Sequence, residues 1–256
     1  MDLKSGRPLA LAAGITGAAL GVAWLWKSRS RRSSAAGGLT PWKGNFGDLR
    51  PQDAPSDGRE LFSAWLQDAE RQDGFSARVM AVATSSPEEG ATVRSVIFHT
   101  MHEDGSVVFG TNSTSQKARS LNSDPRCELL FRWGDRQIRV RGRARCVGDG
   151  PESDAAFKRL PRHCQLGLLC LRQGTSIDEG EHGASLRAYE DKVANFGLDP
   201  DRGPPVPRPA NYTAVVVEPH CFEFYQGGKP GYINDRFLFV REAHTGAFPL
   251  KTRLQA

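Results

Sequence analysis

The spacing of apolar and polar residues changes character several times along the chain. Residues 8–26, PLALAAGITGAALGVAWLW, carry no charge, and Lys27, Arg29, Arg31 and Arg32 follow at once. A run of this length spans a bilayer as a helix. Trp24 and Trp26 would sit at the interface, with the basic flank on the cytosolic side. The pattern predicts a membrane anchor with basic flank over residues 1–32, in the mitochondrial outer membrane or the endoplasmic reticulum. A cleaved signal peptide and a mitochondrial presequence, the latter leading to the matrix, are the competing readings. Residues 33–58 contain Ser, Gly and Pro without periodicity and read as a flexible linker.

From residue 59 to 256 the pattern is that of one folded domain. In RELFSAWLQDAERQ, Leu61, Phe62, Trp65, Leu66 and Ala69 share a helical face, with Ser56 or Asp57 as candidate N-cap. Period-two runs follow: ARVMAVATS, ATVRSVIFHTM, SVVFGTN, RCELLFRW and RQIRVRGRARCVG, separated by turn signals such as SPEEG and HEDG. Helical stretches are expected in TSQKARSLNSD, PESDAAFKRL and GASLRAYEDKVANF. A Pro-rich loop then leads to the strands YTAVVVEP, CFEFYQ and RFLFVRE. Closely spaced strands of this kind predict a mainly-β fold, an antiparallel barrel with flanking helices, rather than βαβ units.

Charge and cysteine usage narrow the function classes. The 256 residues carry a net charge of +5, and part of the excess lies in KSRSRR and in RQIRVRGRARC. In the latter, Gln137, Arg139, Arg141, Arg143 and Arg145 fall on one strand face, and Ile138, Val140, Gly142, Ala144 and Cys146 on the other. Aromatic residues are not interleaved with these arginines, so the stripe reads as a solvated outer face and no nucleic-acid partner is expected. Five scattered cysteines without a CxxC pair indicate reduced thiols and no metal site.

The richest chemistry lies in FGTNSTSQKARSL. A strand ends near Thr111, hydroxyls follow, and a helix carrying Lys117 begins. Free backbone N–H groups at a helix start, hydroxyls and a cation can cradle a phosphate, although a plain N-cap on a surface helix has the same pattern. Arg94 adds a cation in an otherwise apolar strand. Near the C-terminus, CFEFYQGGKPGYINDRFLF places Arg236 at the mouth of a strand rich in aromatics.

Taken in order, VRSVIF, FGTNSTSQKARSL, LLFRWGDRQIRVRG, FKRLPRHCQLG, RQGTSI and FEFYQ…NDR resemble the pyridoxamine 5′-phosphate oxidase family over roughly residues 59–256. The resemblance implies an FMN-binding split barrel of antiparallel Greek-key type, working as a homodimer with FMN at the dimer interface. It assigns FMN contacts to Arg94, Ser95, Val96, Ile97, Thr111, Gln116, Lys117, Gln137, Gln173, Gly174, Tyr225 and Arg236. The family activity is oxidation of pyridoxamine or pyridoxine 5′-phosphate to pyridoxal 5′-phosphate, with dioxygen as acceptor. Tyr225 replaces the usual Trp, and Gln116 the usual Arg.

The substrate positions depart further from the family pattern. His99 stands for a lysine, Tyr232 for an arginine and Asn234 for a histidine, while Ala156, Leu160 and Cys164 occupy the Tyr, Arg and Ser positions. His99, Cys164, Tyr232 and Asn234 are therefore the expected substrate contacts, with Arg159 or Arg162 as replacement cations. No catalytic side chain is singled out. The expectation is an FMN-dependent oxidase acting on a vitamin B6 phosphate or a similar flat compound. The alternatives are a reductase with another substrate and a non-catalytic FMN-binding protein.

Overall fold

The computed structural model describes residues 55–255, apart from residues 172, 175, 200–201 and 228–233. Helix α1 (Gly58–Asp73) starts where Asp57 accepts a hydrogen bond from Arg59 N at 2.8 Å. A 3-10 turn (Gly74–Arg78) leads into strands β1 (Val79–Ser86), β2 (Gly90–Met101) and β3 (Val107–Asn112). Helix α2 (Gln116–Ser123) is followed by β4 (Arg126–Trp133) and β5 (Arg136–Cys146). Helices α3 (Pro151–Lys158), α4 (Arg162–Cys170) and α5 (Glu179–Phe196) precede β6 (Tyr212–Gln226), β7 (Asp235–Val240) and β8 (Leu250–Arg253).

The strands lie antiparallel in the order β3-β2-β1-β4-β5-β6-β7-β8, and a further β3–β6 pairing closes the first six into a barrel. Strand β6 makes this closure possible through its length. Its first half, Tyr212–Val217, pairs with β3, while its second half, Cys221–Gln226, stays paired with β5 and takes β7 as its other neighbour. Two separate strands were expected here, because Glu218 and Pro219 interrupt the apolar pattern. The chain instead continues through a bulge: Arg141 pairs with Cys221 and Gly142 with Pro219, leaving His220 as the extra residue. Gly142 is required at this point, since a Cβ would lie 2.3 Å from the Glu218 carbonyl oxygen.

Two cores result. Inside the barrel, α1 contributes Leu61, Phe62, Trp65 and Ala69, the face expected from its periodicity, with Leu66 only partly buried. Phe62 meets Phe131 edge-on at 5.1 Å and Phe98 at 5.7 Å. Outside the barrel, α3 and α4 cover β3 and the first half of β6, burying Ala156, Phe157 and Leu160 against Tyr212, Ala214 and Val216.

The membrane-anchored, cytosol-facing localisation expected from sequence is corrected. Among the described residues no helix is long and apolar enough to cross a membrane. The longest, α5, carries Glu179, Glu181, Arg187, Glu190, Asp191 and Lys192, charges that a bilayer core rejects. The expected span, residues 8–26, lies outside the described residues.

Phe62 is 1% exposed and sits at the centre of the barrel aromatics. Truncation by Phe62→Ala should cost about 3–5 kcal/mol of unfolding free energy. Urea denaturation followed by circular dichroism measures this, and a loss below about 1 kcal/mol would show that α1 does not plug the barrel.

Candidate functional site

Two groups of polar side chains stand out, and the alternation of the strands dictates both. The first lies at one end of the barrel, where α2 packs on β1 and β5. Ser115 caps α2, its hydroxyl accepting from Ala118 N at 3.4 Å. Thr111 at the end of β3 lies 3.0 Å from the Ser115 hydroxyl and accepts from Lys117 Nζ at 3.2 Å. Lys117 is only 6% exposed. Burial lowers its pKa, and the nearby Arg94 guanidinium lowers it further. Arg94 points to the inner face of β2 and donates to the hydroxyls of Thr84 at 2.7 Å and Thr92 at 2.6 Å.

Among the described residues no carboxylate forms an ion pair with Lys117 or Arg94. Two desolvated cations bordered by hydroxyls and a helix start make a strong receptor for an anion. The donor set fits a phosphate monoester such as that of FMN. Gln116 lies exposed at the first position of α2, outside this cradle.

The second group is a row across β5, β6 and β7. Gln137 pairs directly with Tyr225, and Tyr225 with Arg236. All three are partly exposed on the outer face. Arg236 donates through Nε to Glu223 at 2.9 Å. The outer-face arginines of β5 are less free than their pattern suggests, because Arg139 pairs with Glu128 and Glu223, and Arg141 with Glu223. Cradle and row face opposite sides of the sheet, and a single chain does not bring them together. Of the remaining expected contacts, Ser95 is exposed, Val96 faces the barrel core and Ile97 packs on the second core. Gln173 and Gly174 lie exposed in the loop after α4.

The expected substrate positions are brought together in part. His99 is 3% exposed, and its Nε2 lies 3.1 Å from the Tyr212 hydroxyl. Burial, reinforced by the charges of Arg159 and Arg78, lowers its pKa to about 4, so the ring is neutral at physiological pH. The Tyr212 hydroxyl overhangs Gly110, where a Cβ would sit 1.7 Å from it. Ala156, Leu160 and Cys164 pack around Tyr212 in the second core, and burial pushes the Cys164 thiol pKa up.

Where the family pattern carries cations, this cluster presents apolar surface and one neutral histidine. Arg162 is committed elsewhere, donating to the carbonyls of Phe196 and Pro204 at 2.6 Å and Gly197 at 2.8 Å. Arg159 is exposed. Asn234 is half-buried just before β7, and Tyr232 lies outside the described residues. Sequence reasoning missed Tyr212 and Glu223; a tyrosine and a glutamate in a strand give no local sign of their partners.

The family model for pyridoxamine 5′-phosphate oxidase matches residues 67–194. A pyridoxine/pyridoxamine 5′-phosphate oxidase of Gluconobacter oxydans is 33% identical over 200 residues, covering 77% of this chain and 94% of that one. The enzyme of the same name from Rubrobacter xylanophilus is 34% identical over 196 residues, covering 76% and 86%. This chain belongs to the pyridoxamine 5′-phosphate oxidase family.

Two solved structures share its fold, the split barrel of that family. PhzG from Burkholderia lata superposes with a TM-score of 0.66 at 21% identity, covering 82% of this chain and 98% of that one. A pyridoxamine 5′-phosphate oxidase-related, FMN-binding protein from Nostoc punctiforme gives 0.58 at 18% identity, covering 82% and 100%.

The buried His99 makes stability pH-dependent. Its folded pKa of about 4 lies below the ordinary histidine value of 6.5, so as pH falls the unfolded chain takes up the proton first. The contribution is fully present above pH 6.5 and is lost between 6.5 and about 4, amounting to about 3 kcal/mol. His99→Gln should flatten this limb relative to the unmodified protein in denaturant titrations across that window. Parallel limbs in the two proteins would show that His99 protonates freely in the fold.

Proposed function

We propose that this chain is an FMN-dependent oxidoreductase whose preferred substrate is a flat compound with less negative charge than a vitamin B6 phosphate. The observation that carries the flavin half of this reading is the pair of desolvated cations, Lys117 and Arg94, neither of which forms an ion pair with a carboxylate among the described residues. Lys117, Thr111 and Arg94 would hold the FMN phosphate. Ser95, Val96 and Ile97 would border the ring from one chain, with Gln137, Tyr225 and Arg236 contributed by a second copy. Gln173 and Gly174 complete the proposed contacts. FMN, when bound, supplies the hydride acceptor, and dioxygen is the proposed final acceptor. The side chains position and polarise the ring and hold the substrate against it.

A homodimer would reconcile the opposite placement of cradle and row. The outer face of β1 and β2 supports this, since Val79 is 40% and Val93 70% exposed beside Ala81 and Ala83. A contiguous apolar face of this kind favours a covering partner.

The substrate half rests on Ala156, Leu160 and Cys164, which offer a phosphate no charge-assisted partner. Each such missing hydrogen bond costs about 1.5–3 kcal/mol. The PhzG structure holds tetrahydrophenazine-1-carboxylic acid, a ligand without a phosphate, which is in keeping with this reading. Formation of pyridoxal 5′-phosphate is the second reading. Arg159 favours it, being exposed beside Leu160 and close enough to depress the His99 pKa.

The purified protein should be yellow and release FMN on denaturation. Its turnover of pyridoxamine 5′-phosphate with oxygen should fall below the ordinary range of about 1–10³ s⁻¹. Folded, colourless protein that takes up no added FMN would end the flavin reading. Ordinary turnover, abolished by Arg159→Ala, would establish the second reading instead.

A further inference from the structure

Glu223 is only 3% exposed, yet it lies on the outer face of β6 with three guanidinium groups converging on it. Arg236 reaches Oε1 through both Nε and Nη2, each at 2.9 Å. Arg139 Nη1 donates to the same oxygen at 3.1 Å, and Arg141 Nη2 to Oε2 at 3.3 Å. Arg139 is shared with Glu128 at 2.5 Å. A buried carboxylate with such partners fixes the groups around it. Arg236 nevertheless keeps 32% of its side chain exposed, so the anchored cation has an open side. Tyr225 lies directly across from it, two residues beyond Glu223 on the same strand.

We propose that Glu223 is a positioning residue for the flavin site: it holds the Arg236 guanidinium in one orientation beside Tyr225 and offsets part of the charge gathered there. The inference rests on the reading that Arg236 contacts FMN. An arginine on a flexible stem must be ordered before it can serve a ligand, and a partner that orders it in advance removes that cost from binding. Without the carboxylate, Arg139, Arg141 and Arg236 would repel one another. Arg139 would keep Glu128 as a partner, whereas Arg236, 32% exposed, pairs with no other carboxylate among the described residues and could swing away. The local charge would also become more positive by one unit, which favours the electron-rich reduced flavin over the oxidised one.

A double-mutant cycle on the full-length protein tests this, with FMN Kd read from flavin fluorescence for the unmodified chain, Glu223→Gln, Arg236→Ala and the double variant. Glu223→Gln should weaken FMN about tenfold, the scale of one lost charge-assisted contact. The double variant should bind no more weakly than Arg236→Ala alone, because Glu223 acts through Arg236. The midpoint potential of bound FMN in Glu223→Gln should move to a more positive value. Additive losses, or an unchanged Kd and potential with only a lowered melting temperature, would reduce Glu223 to a structural ion pair and overturn the inference. An Arg236→Ala variant that binds FMN normally would overturn the flavin reading of Arg236, and this inference with it. Should Glu223→Gln fail to fold, Glu223→Asp, which keeps the charge on a shorter stem, replaces it in the cycle: the Kd criteria stand, and the midpoint potential should stay unchanged because the charge is kept.

Discussion

The bulge at Pro219–Cys221 is the constraint on which both halves of the site depend. Side chains of a strand alternate between faces, so one extra residue exchanges the faces beyond it. Before the bulge the odd-numbered Val215 and Val217 enter the barrel core; beyond it the even-numbered Phe222 and Phe224 do so. Tyr212, Ala214 and Val216 thereby face the second core, while Glu223 and Tyr225 face outward. Without the extra residue, Glu223 and Tyr225 would point into an aromatic interior that offers a carboxylate no partner. A single long strand thus closes the barrel, carries Tyr212 to His99 and displays the row that includes Arg236.

The burial of charge follows from this frame. Most buried ionic groups here are paired, as Glu223 is by its arginines and Asp235 by Arg253. Lys117 and Arg94 are different: Lys117 donates to a hydroxyl and Arg94 to hydroxyls and backbone carbonyls, and neither forms an ion pair with a carboxylate among the described residues. A fold that tolerates two partly desolvated cations side by side gives up stability in the empty state. An anion that binds there recovers that loss. At the other end of the proposed site the chemistry runs the opposite way, with a neutral His99 and apolar neighbours where a phosphate-binding pocket would carry cations.

Much of the fold could be read from the sequence, because period-two runs such as RCELLFRW and RQIRVRG match their strands closely and the α1 face is strongly periodic. The cradle was visible because Thr111, Ser115 and Lys117 are close in sequence. What escaped depends on distant partners. Helix α4 was not expected, since its short RHCQLGLLC stretch has a central Gly and no polar face. Strand β6 was split at Pro219, because a proline in an apolar run reads as an end rather than a bulge. Arg162 looked available as a replacement cation, whereas it is spent on carbonyls at the end of α5 and in the following loop. Nothing local in CFEFYQ marks Glu223, because its arginine partners lie on β5 and β7.

The most direct measurement of the central claim is an equilibrium FMN titration of the apo-protein against its Lys117→Met variant, with melting temperatures recorded for both. If Lys117 is a desolvated cation kept for a phosphate, the variant should lose about tenfold to a hundredfold in FMN affinity. Its empty form should melt no lower than the unmodified protein, because the substitution removes a buried, unpaired charge. Equal FMN affinity in the two proteins would contradict the account and return Lys117 to the role of a helix residue that happens to be buried.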